Sequence, residues 1–425
     1  MPSITQLPCE MVAEILGKLD HLRFLLPALL ACRHFYTSFK KSHGVKASIL
    51  RRQITPALLP NAVALVEASR LPRPLAASSV VALLDDLHNR PASLAAWLPT
   101  IPTALVQKMG RTHDAIHALA TGFATSALDC ISPPSAPAGT ATEAAALSPL
   151  EYFRFCRAFY RVDLFYTLFR GGSFESDMNP WFFSRHSLWE NEQLGCVYEY
   201  LEARFAKASR EVVAHDVLFG EVSVDYLTSG EDNQWRQTWA ALLTPERQLS
   251  HGVEFVYNLT IADSYDAKHR MLQSALDPSY GRVNLPEALH EVLDDADGRP
   301  VQFQSEEELH SIALRRGDSP EEDDTDQGPY KAWRNAHADS TLEESLMFED
   351  DAWLRGRAYV FWDRHRVQQQ FKDGFGEEPG YRRDYTEREY ADMLESFRER
   401  SKIWQKGGKG FWSRGDTSRI VWPDK

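Results

Sequence analysis

Leu7-Pro8-Cys9-Glu10-Met11-Val12-Ala13-Glu14-Ile15-Leu16-Gly17-Lys18-Leu19-Asp20 begins a short unit near the start of the chain, and Cys32-Arg33-His34-Phe35-Tyr36 lies near its end. Met11, Val12, Ile15, Leu16 and Leu19 fall on one face of a helix. Pro8 suits a first helical turn, where its missing N–H is no loss. Glu10 and Glu14 favour the positive helix start. Gly17 weakens the helix interior by roughly 1 kcal/mol against Ala. Asp20 is placed to N-cap a second helix, and Pro27 within that helix is expected to kink it. Leu22, Leu25, Leu26, Leu29, Leu30, Cys32, Phe35, Tyr36 and Phe39 are more apolar groups than so small a unit hides internally. Burying each is worth about 1.5–3 kcal/mol, and a domain of this size is marginal alone. Such a unit either packs as a plain hairpin on the next domain or docks on a partner.

The L-P-x-E start and the C-R-x-F-type end, at this separation, resemble an F-box. The resemblance implies a three-helix module over residues 1–50 that docks on a Skp-family adaptor and, through it, on a cullin. Leu7, Pro8, Ile15, Leu16, Leu19, Leu22 and Phe35 would then build or border the adaptor interface. The chain would be the substrate-recognition subunit of an SCF-type ubiquitin ligase. It would be non-catalytic, need no cofactor, and hold an unknown protein substrate through its C-terminal region. Arg357-Ala358-Tyr359-Val360-Phe361-Trp362-Asp363 and Gly410-Phe411-Trp412-Ser413-Arg414-Gly415-Asp416 also resemble stretches of F-box-like proteins of filamentous fungi. Pro27 departs from many F-boxes.

The 425 residues suggest two or three domains. Cys9, Cys32, Cys130, Cys156 and Cys196 are scattered, without a C-x-x-C pair, which argues against a disulfide framework or a zinc module and suits a reducing compartment. The longest apolar uncharged stretch, 91–107, is broken by Pro99 and Pro102 and is too short for a membrane span. The acidic, proline-interrupted start does not read as a signal peptide. A cytoplasmic or nuclear protein is expected, with no membrane partner and Asn258-Leu259-Thr260 left unglycosylated. The formal net charge is −13. Residues 291–351 carry nineteen Asp/Glu against five Lys/Arg, so this window accounts for the whole negative balance. Residues 1–60 carry eight Lys/Arg against three Asp/Glu, a balance that favours encounter with an acidic partner. No nucleic-acid motif accompanies these cations, and no nucleic-acid partner is expected.

The expected fold is mainly α: the F-box, an irregular helical substrate-binding region, an acidic loop and an aromatic-rich C-terminal part. Residues 51–123 read as short helices cut by prolines, and 124–148 as an Ala/Pro/Ser-rich linker. Ser148-Pro149-Leu150-Glu151 combines an N-cap Ser, Pro at N1 and Glu at N3. The helix that follows carries Phe153, Cys156, Phe159, Tyr160, Leu164 and Leu168. Ser187-Leu188-Trp189-Glu190 repeats the signature, and Thr244-Pro245-Glu246 opens another candidate helix. Residues 149–290 therefore read as a helical domain. Residues 291–330, with the run Asp318 to Asp326, read as an acidic flexible segment. Ten of the eleven tryptophans follow residue 180, so 331–425 reads as aromatic core packing on the helical domain.

Catalytic patterns are sparse. His113-Asp114-Ala115-Ile116-His117 places two imidazoles one helical turn apart, but its Asp is a methylene short of the usual zincin Glu and no third ligand is evident. Gly407-Gly408-Lys409-Gly410 lacks the spacing of a phosphate-binding loop. There are no leucine-rich or propeller repeats, and there is no G-x-S-x-G. No metal, cofactor or catalytic residue is assigned. The competing readings are an F-box scaffold acting outside a cullin ligase and an enzyme on an unfamiliar helical scaffold.

Overall fold

A computed structural model describes residues 4–42, 44–131, 146–170, 178–217, 249–275, 283–293, 326–336, 353–370 and 387–423. The candidate helix start at Thr244, the acidic run up to Thr325 and most of the 124–148 linker lie outside the described residues.

The chain is mainly α, and its described strands are one short ribbon. At the N-terminus, α1 (Cys9–Gly17), a 3-10 turn (Leu22–Phe24), α2 (Leu25–Ala31), α3 (Arg33–Lys41) and α4 (Val45–Gln53) form a small bundle. Its core is Val12, Ala13, Leu16, Leu25, Val45 and Ile49. A fourth helix therefore completes the expected three-helix module. α4 serves two cores, because Val45 and Ile49 face the bundle while Ala47 and Leu50 face the body. A domain boundary at residue 50 thus cuts a helix whose two faces are both buried.

Two expectations about this bundle change. Pro27 is the third residue of α2, because the preceding turn is a separate 3-10 helix. A first-turn proline loses no intrahelical hydrogen bond, so it marks a helix start rather than a kink. The cap of that 3-10 turn is His21, whose Nδ1 accepts the Arg23 N–H at 3.0 Å. Asp20 pairs instead with Arg52 at 3.0 Å on the surface.

The body begins with α5 (Leu59–Arg70), α6 (Ala77–Asn89) and α7 (Pro91–Ala95). Then α8 (Thr103–Ile131) runs unbroken for 29 residues. It extends the expected short helices, and its last turns occupy 124–131, the first part of the expected linker. After Pro102 nothing in the sequence stops it, and burial of Val106, Met109, Ile116, Leu119, Ala120 and Phe123 holds it in place.

The central helix is α9 (Pro149–Phe169). Ser148 accepts the Glu151 N–H at 3.1 Å and donates its own N–H to Glu151 at 2.9 Å, closing the capping box read from the sequence. Such a cap is worth about 1 kcal/mol. α9 packs against α5, α8 and the long α11 (Leu188–Val213), with the short α10 (Met178–Trp181) between α9 and α11 in sequence. α12 (Val253–Ile261) crosses α8 and α11, and α13 (Tyr265–Ser274), α14 (Leu285–Leu293) and α15 (Gly328–Ala336) also pack on α11. One continuous core runs from Ala47 to Trp362, so 51–123 and 149–290 share an interior rather than forming separate domains.

The segment between α16 (Trp353–Gly356) and α17 (Arg364–Gln370) threads this core, with Tyr359, Val360, Phe361 and Trp362 fully buried. A buried loop must satisfy its backbone polar groups. Here Gln193 donates to the Val360 carbonyl at 2.9 Å and Arg154 to the Phe361 carbonyl at 3.1 Å. Phe361 stacks on Phe155 with centroids 4.3 Å apart. Of the aromatics read as core over 331–425, this segment and Trp333 are buried, whereas Trp404 and Trp422 are exposed.

Around it runs a network of buried ion pairs. Arg154, Arg157 and Arg161 lie along one face of α9 and are almost wholly buried. Arg154 reaches Asp363 at 2.6 Å and Arg157 reaches Glu190 at 2.9 Å. Arg161 donates to the Glu190 carbonyl at 2.8 Å and to Asn191 Oδ1 at 2.9 Å. Glu151, fully buried, takes Arg366 at 2.6 Å. Arg355 bridges Glu192 and Glu199, each at 2.7 Å. Asp326, the last residue of the acidic run, accepts the Arg364 N–H at 3.0 Å and so belongs to this lattice.

At the C-terminal end α18 (Glu387–Gln405) leads into an antiparallel ribbon of β1 (Lys409–Gly410) and β2 (Ile420–Val421). Val217, Ile403, Trp412 and Ile420 make a separate small core there. No described helix is long and apolar enough to cross a membrane.

Candidate protein-docking surface

The N-terminal bundle has spent its best apolar residues on its own core, and many remain outside. Twelve large apolar side chains are exposed among the described residues, and seven of them lie between residues 4 and 36. They are Ile4, Met11, Ile15, Phe24, Leu26, Leu30 and Tyr36. Met11 and Ile15 are one turn apart on α1, and Leu26 and Leu30 one turn apart on α2. Leu26 and Leu30 are 63% and 77% exposed, far more than a core-facing helix leaves open. Scattered apolar residues are normal on a protein surface, but a concentration of this kind in one small bundle is unusual.

Cations surround these groups. Arg23 sits over the Phe24 ring at 4.8 Å and Lys40 over the Tyr36 ring at 5.5 Å. Such contacts stabilise by about 0.5–1 kcal/mol at exposed sites. They also place positive charge beside these exposed rings.

The seven residues singled out from the sequence divide between two jobs. Pro8, the N-cap of α1, and Ile15 are exposed. Leu7, Leu19 and Phe35 are half-buried against the bundle core. The Leu7 carbonyl lies 2.9 Å from His34 Nε2, which ties the L-P turn to α3. Leu16 is 3% exposed and belongs to the core itself. Leu22 packs toward the body, where a Cβ added to Gly110 would lie 2.9 Å from its Cδ1. Met11, Leu26, Leu30 and Tyr36 belong to the apolar groups read from the sequence but not to the expected interface, and Phe24 belongs to neither. The signal for them is the i, i+4 pairing of Met11 with Ile15 and of Leu26 with Leu30, once Pro27 is read as a helix start.

Beneath the surface, polar contacts fix the bundle on the body. Asp114 of α8 meets His21 Nε2 at 2.7 Å and accepts from Gln53 at 2.8 Å. Gln53 also donates to the Gly110 carbonyl at 3.1 Å and accepts the Leu22 N–H at 3.3 Å. Because His21 Nδ1 accepts from Arg23, its Nε2–H is the donor to Asp114.

The same contacts decide the His-Asp-x-x-His motif. Asp114 turns toward the N-terminal bundle. His113 Nδ1 lies 3.0 Å from the Tyr160 hydroxyl, and His117 Nδ1 lies 3.1 Å from the Tyr152 hydroxyl. Burial lowers the His113 pKa to about 4, so the ring is neutral at physiological pH. Among the described residues no three His, Cys, Asp or Glu side chains are grouped to hold a metal ion. The buried arginines likewise face internal carboxylates and carbonyls, an arrangement that fixes structure.

No family model, curated protein or solved structure matches the chain.

Proposed function

We propose that the N-terminal bundle is an F-box and that the chain is the substrate-recognition subunit of an SCF-type ubiquitin ligase. The observation that carries this reading is the concentration of exposed apolar side chains on residues 4–36 of a bundle that already has its own core. It joins the L-P-x-E and C-R-x-F spacing of the sequence. The bundle would bind a Skp-family adaptor, and the rigid joint at Asp114 would hold the body at a fixed angle to it. The body would present an unknown protein substrate near the ubiquitin-transfer machinery, where proximity supplies the rate and the chain needs no catalytic group. The work would take place in the cytoplasm or nucleus.

The test is co-purification of the full chain with a Skp-family adaptor and a cullin. Leu26→Glu with Leu30→Glu is expected to abolish adaptor binding while leaving the fold intact, since both side chains face solvent. A complex with adaptor but without cullin would favour a scaffold outside the ligase. A folded chain that binds no adaptor would remove the F-box reading.

A further inference from the structure

The C-terminal ribbon carries a second exposed apolar surface. Of the five large apolar side chains exposed outside residues 4–36, three are Trp404, Val421 and Trp422. The backbone brings them together. Lys409 of β1 pairs with Val421 of β2. The same register continues past the strands, since a Cβ added to Gly407 would lie 3.0 Å from Pro423 Cγ. Trp422 then stands opposite Gly408, which has no side chain to cover it. The Gly407 N–H donates to the Trp404 carbonyl at 2.8 Å, so the end of α18 borders the same face.

The inward side of this unit is already spent. Ile403, Trp412 and Ile420 close on Val217. The Trp412 N–H donates to the His215 carbonyl at 2.7 Å and the Ser396 hydroxyl to the Ala214 carbonyl at 2.7 Å. Buried Arg400 donates to the Asp216 carbonyl at 3.1 Å. The ribbon is thus clamped to the residues that follow α11. Its outer face is held in place before any partner arrives, which lowers the ordering cost of binding.

Charge narrows the choice of partner. Residues 404–423 contain Lys406, Lys409, Arg414 and Arg419 against Asp416 alone. Arg414 pairs with Asp392 and Glu395, and Arg419 with Asp266. Lys406 and Lys409 are exposed and take part in no ion pair among the described residues. As cross-strand neighbours, Lys409 and Val421 put a cation and an aliphatic group about 4.5–5.5 Å apart at Cβ. A single nucleic-acid strand would need a groove of cations lined with stacking rings. Here the most exposed of the three apolar side chains is Val421, at 70%, and it has no ring to stack. We propose that this face binds an acidic peptide segment that carries apolar residues. Its carboxylates would meet Lys406 and Lys409, and its apolar side chains would meet Val421 and Trp422. The proposal deepens the ligase reading and rests on it, since such a segment would mark the protein substrate.

The test is fluorescence anisotropy of the full-length chain with the labelled peptide EEDLFDEE. Saturable binding is expected with a Kd below about 100 μM. The peptide EEDSSDEE should bind at least about tenfold more weakly, and KKRLFRKK should not bind. Lys406→Glu with Lys409→Glu, and separately Val421→Ser with Trp422→Ser, change only exposed side chains. Each pair should weaken EEDLFDEE binding at least about tenfold and leave adaptor binding unchanged. No saturable binding, equal binding of KKRLFRKK or EEDSSDEE, tighter binding of oligo(dT), or wild-type affinity in both variants would overturn the proposal. So would a dimer of the chain that the variants dissociate, because a second copy would then cover the face. Adaptor binding that persists beside any of these results leaves the ligase reading standing. Peptide binding by a chain that binds no adaptor would remove the ligase reading and leave the peptide site.

Discussion

His21 Nε2 and Asp114 Oδ1 lie 2.7 Å apart across 93 residues of sequence, and this contact ties the N-terminal bundle to the longest helix of the body. Gln53 accompanies it on the same oxygen. The bundle is therefore fixed on the body through α4, α8 and the 3-10 turn, rather than tethered by a linker.

Removing Asp114 should loosen that joint without unfolding the body. Asp114→Ala deletes two partly buried hydrogen bonds, each worth about 0.5–1.5 kcal/mol. Hydrogen–deuterium exchange is expected to accelerate over α1–α4 while α9 stays protected. Uniform acceleration across both would show that the bundle and the body open together.

The ion-pair lattice should be expensive to break at one partner. Glu190→Gln removes the carboxylate that Arg157 meets at 2.9 Å in the interior, and losing one partner of a buried pair costs about 3–5 kcal/mol. Denaturant unfolding should show a loss of that size. Arg414→Ala, which breaks the exposed contacts with Asp392 and Glu395, should change stability by less than about 0.5–1 kcal/mol.

Two buried groups titrate with opposite signs in the same pH window. The folded His113 pKa of about 4 lies below its ordinary 6.5. The unfolded chain takes up that proton first, so stability falls as pH drops from 6.5 toward 4, by about 3 kcal/mol at most. The folded Asp163 pKa of about 6 lies above its ordinary 3.8. Its contribution is complete below 3.8 and is lost as pH rises through 6, again about 3 kcal/mol. The two nearly offset each other. Unfolding free energies measured across this range should fall more steeply with acidification in Asp163→Asn than in the wild type. In His113→Gln, where Gln can still reach the Tyr160 hydroxyl, they should fall less steeply.

Local signals in the sequence carried local structure well. The capping box at Ser148 appears as read, because it depends on residues within one turn, whereas the apolar face read for α1 divides, with Val12 and Leu16 buried and Met11 and Ile15 exposed. The mainly α fold and the buried aromatic segment around Phe361 were legible for the same reason, since dense aromatics need burial wherever they lie. The interior burial of Arg154, Arg157 and Arg161 was not legible. Three arginines on an otherwise apolar helix look like a solvent stripe until their partners are placed, and those include Asp363, 209 residues from Arg154. The length of α8 was hidden similarly, because Gly110 weakens it locally, while in the fold a Cβ there would lie 2.9 Å from Leu22 Cδ1. At the docking surface, periodicity identified a surplus of apolar groups but not which face was spent on the core, so Leu16 and Leu26 looked equivalent.

The most direct measurement is titration of purified full-length chain with a purified Skp-family adaptor, beside the Leu26→Glu, Leu30→Glu double variant. The expected result is a saturable one-to-one complex for the wild type and loss of at least about 2 kcal/mol of binding, roughly thirtyfold, in the variant. Absence of binding by the folded wild-type chain, or equal affinity in the variant, would contradict the assignment of the N-terminal bundle as an adaptor-docking F-box.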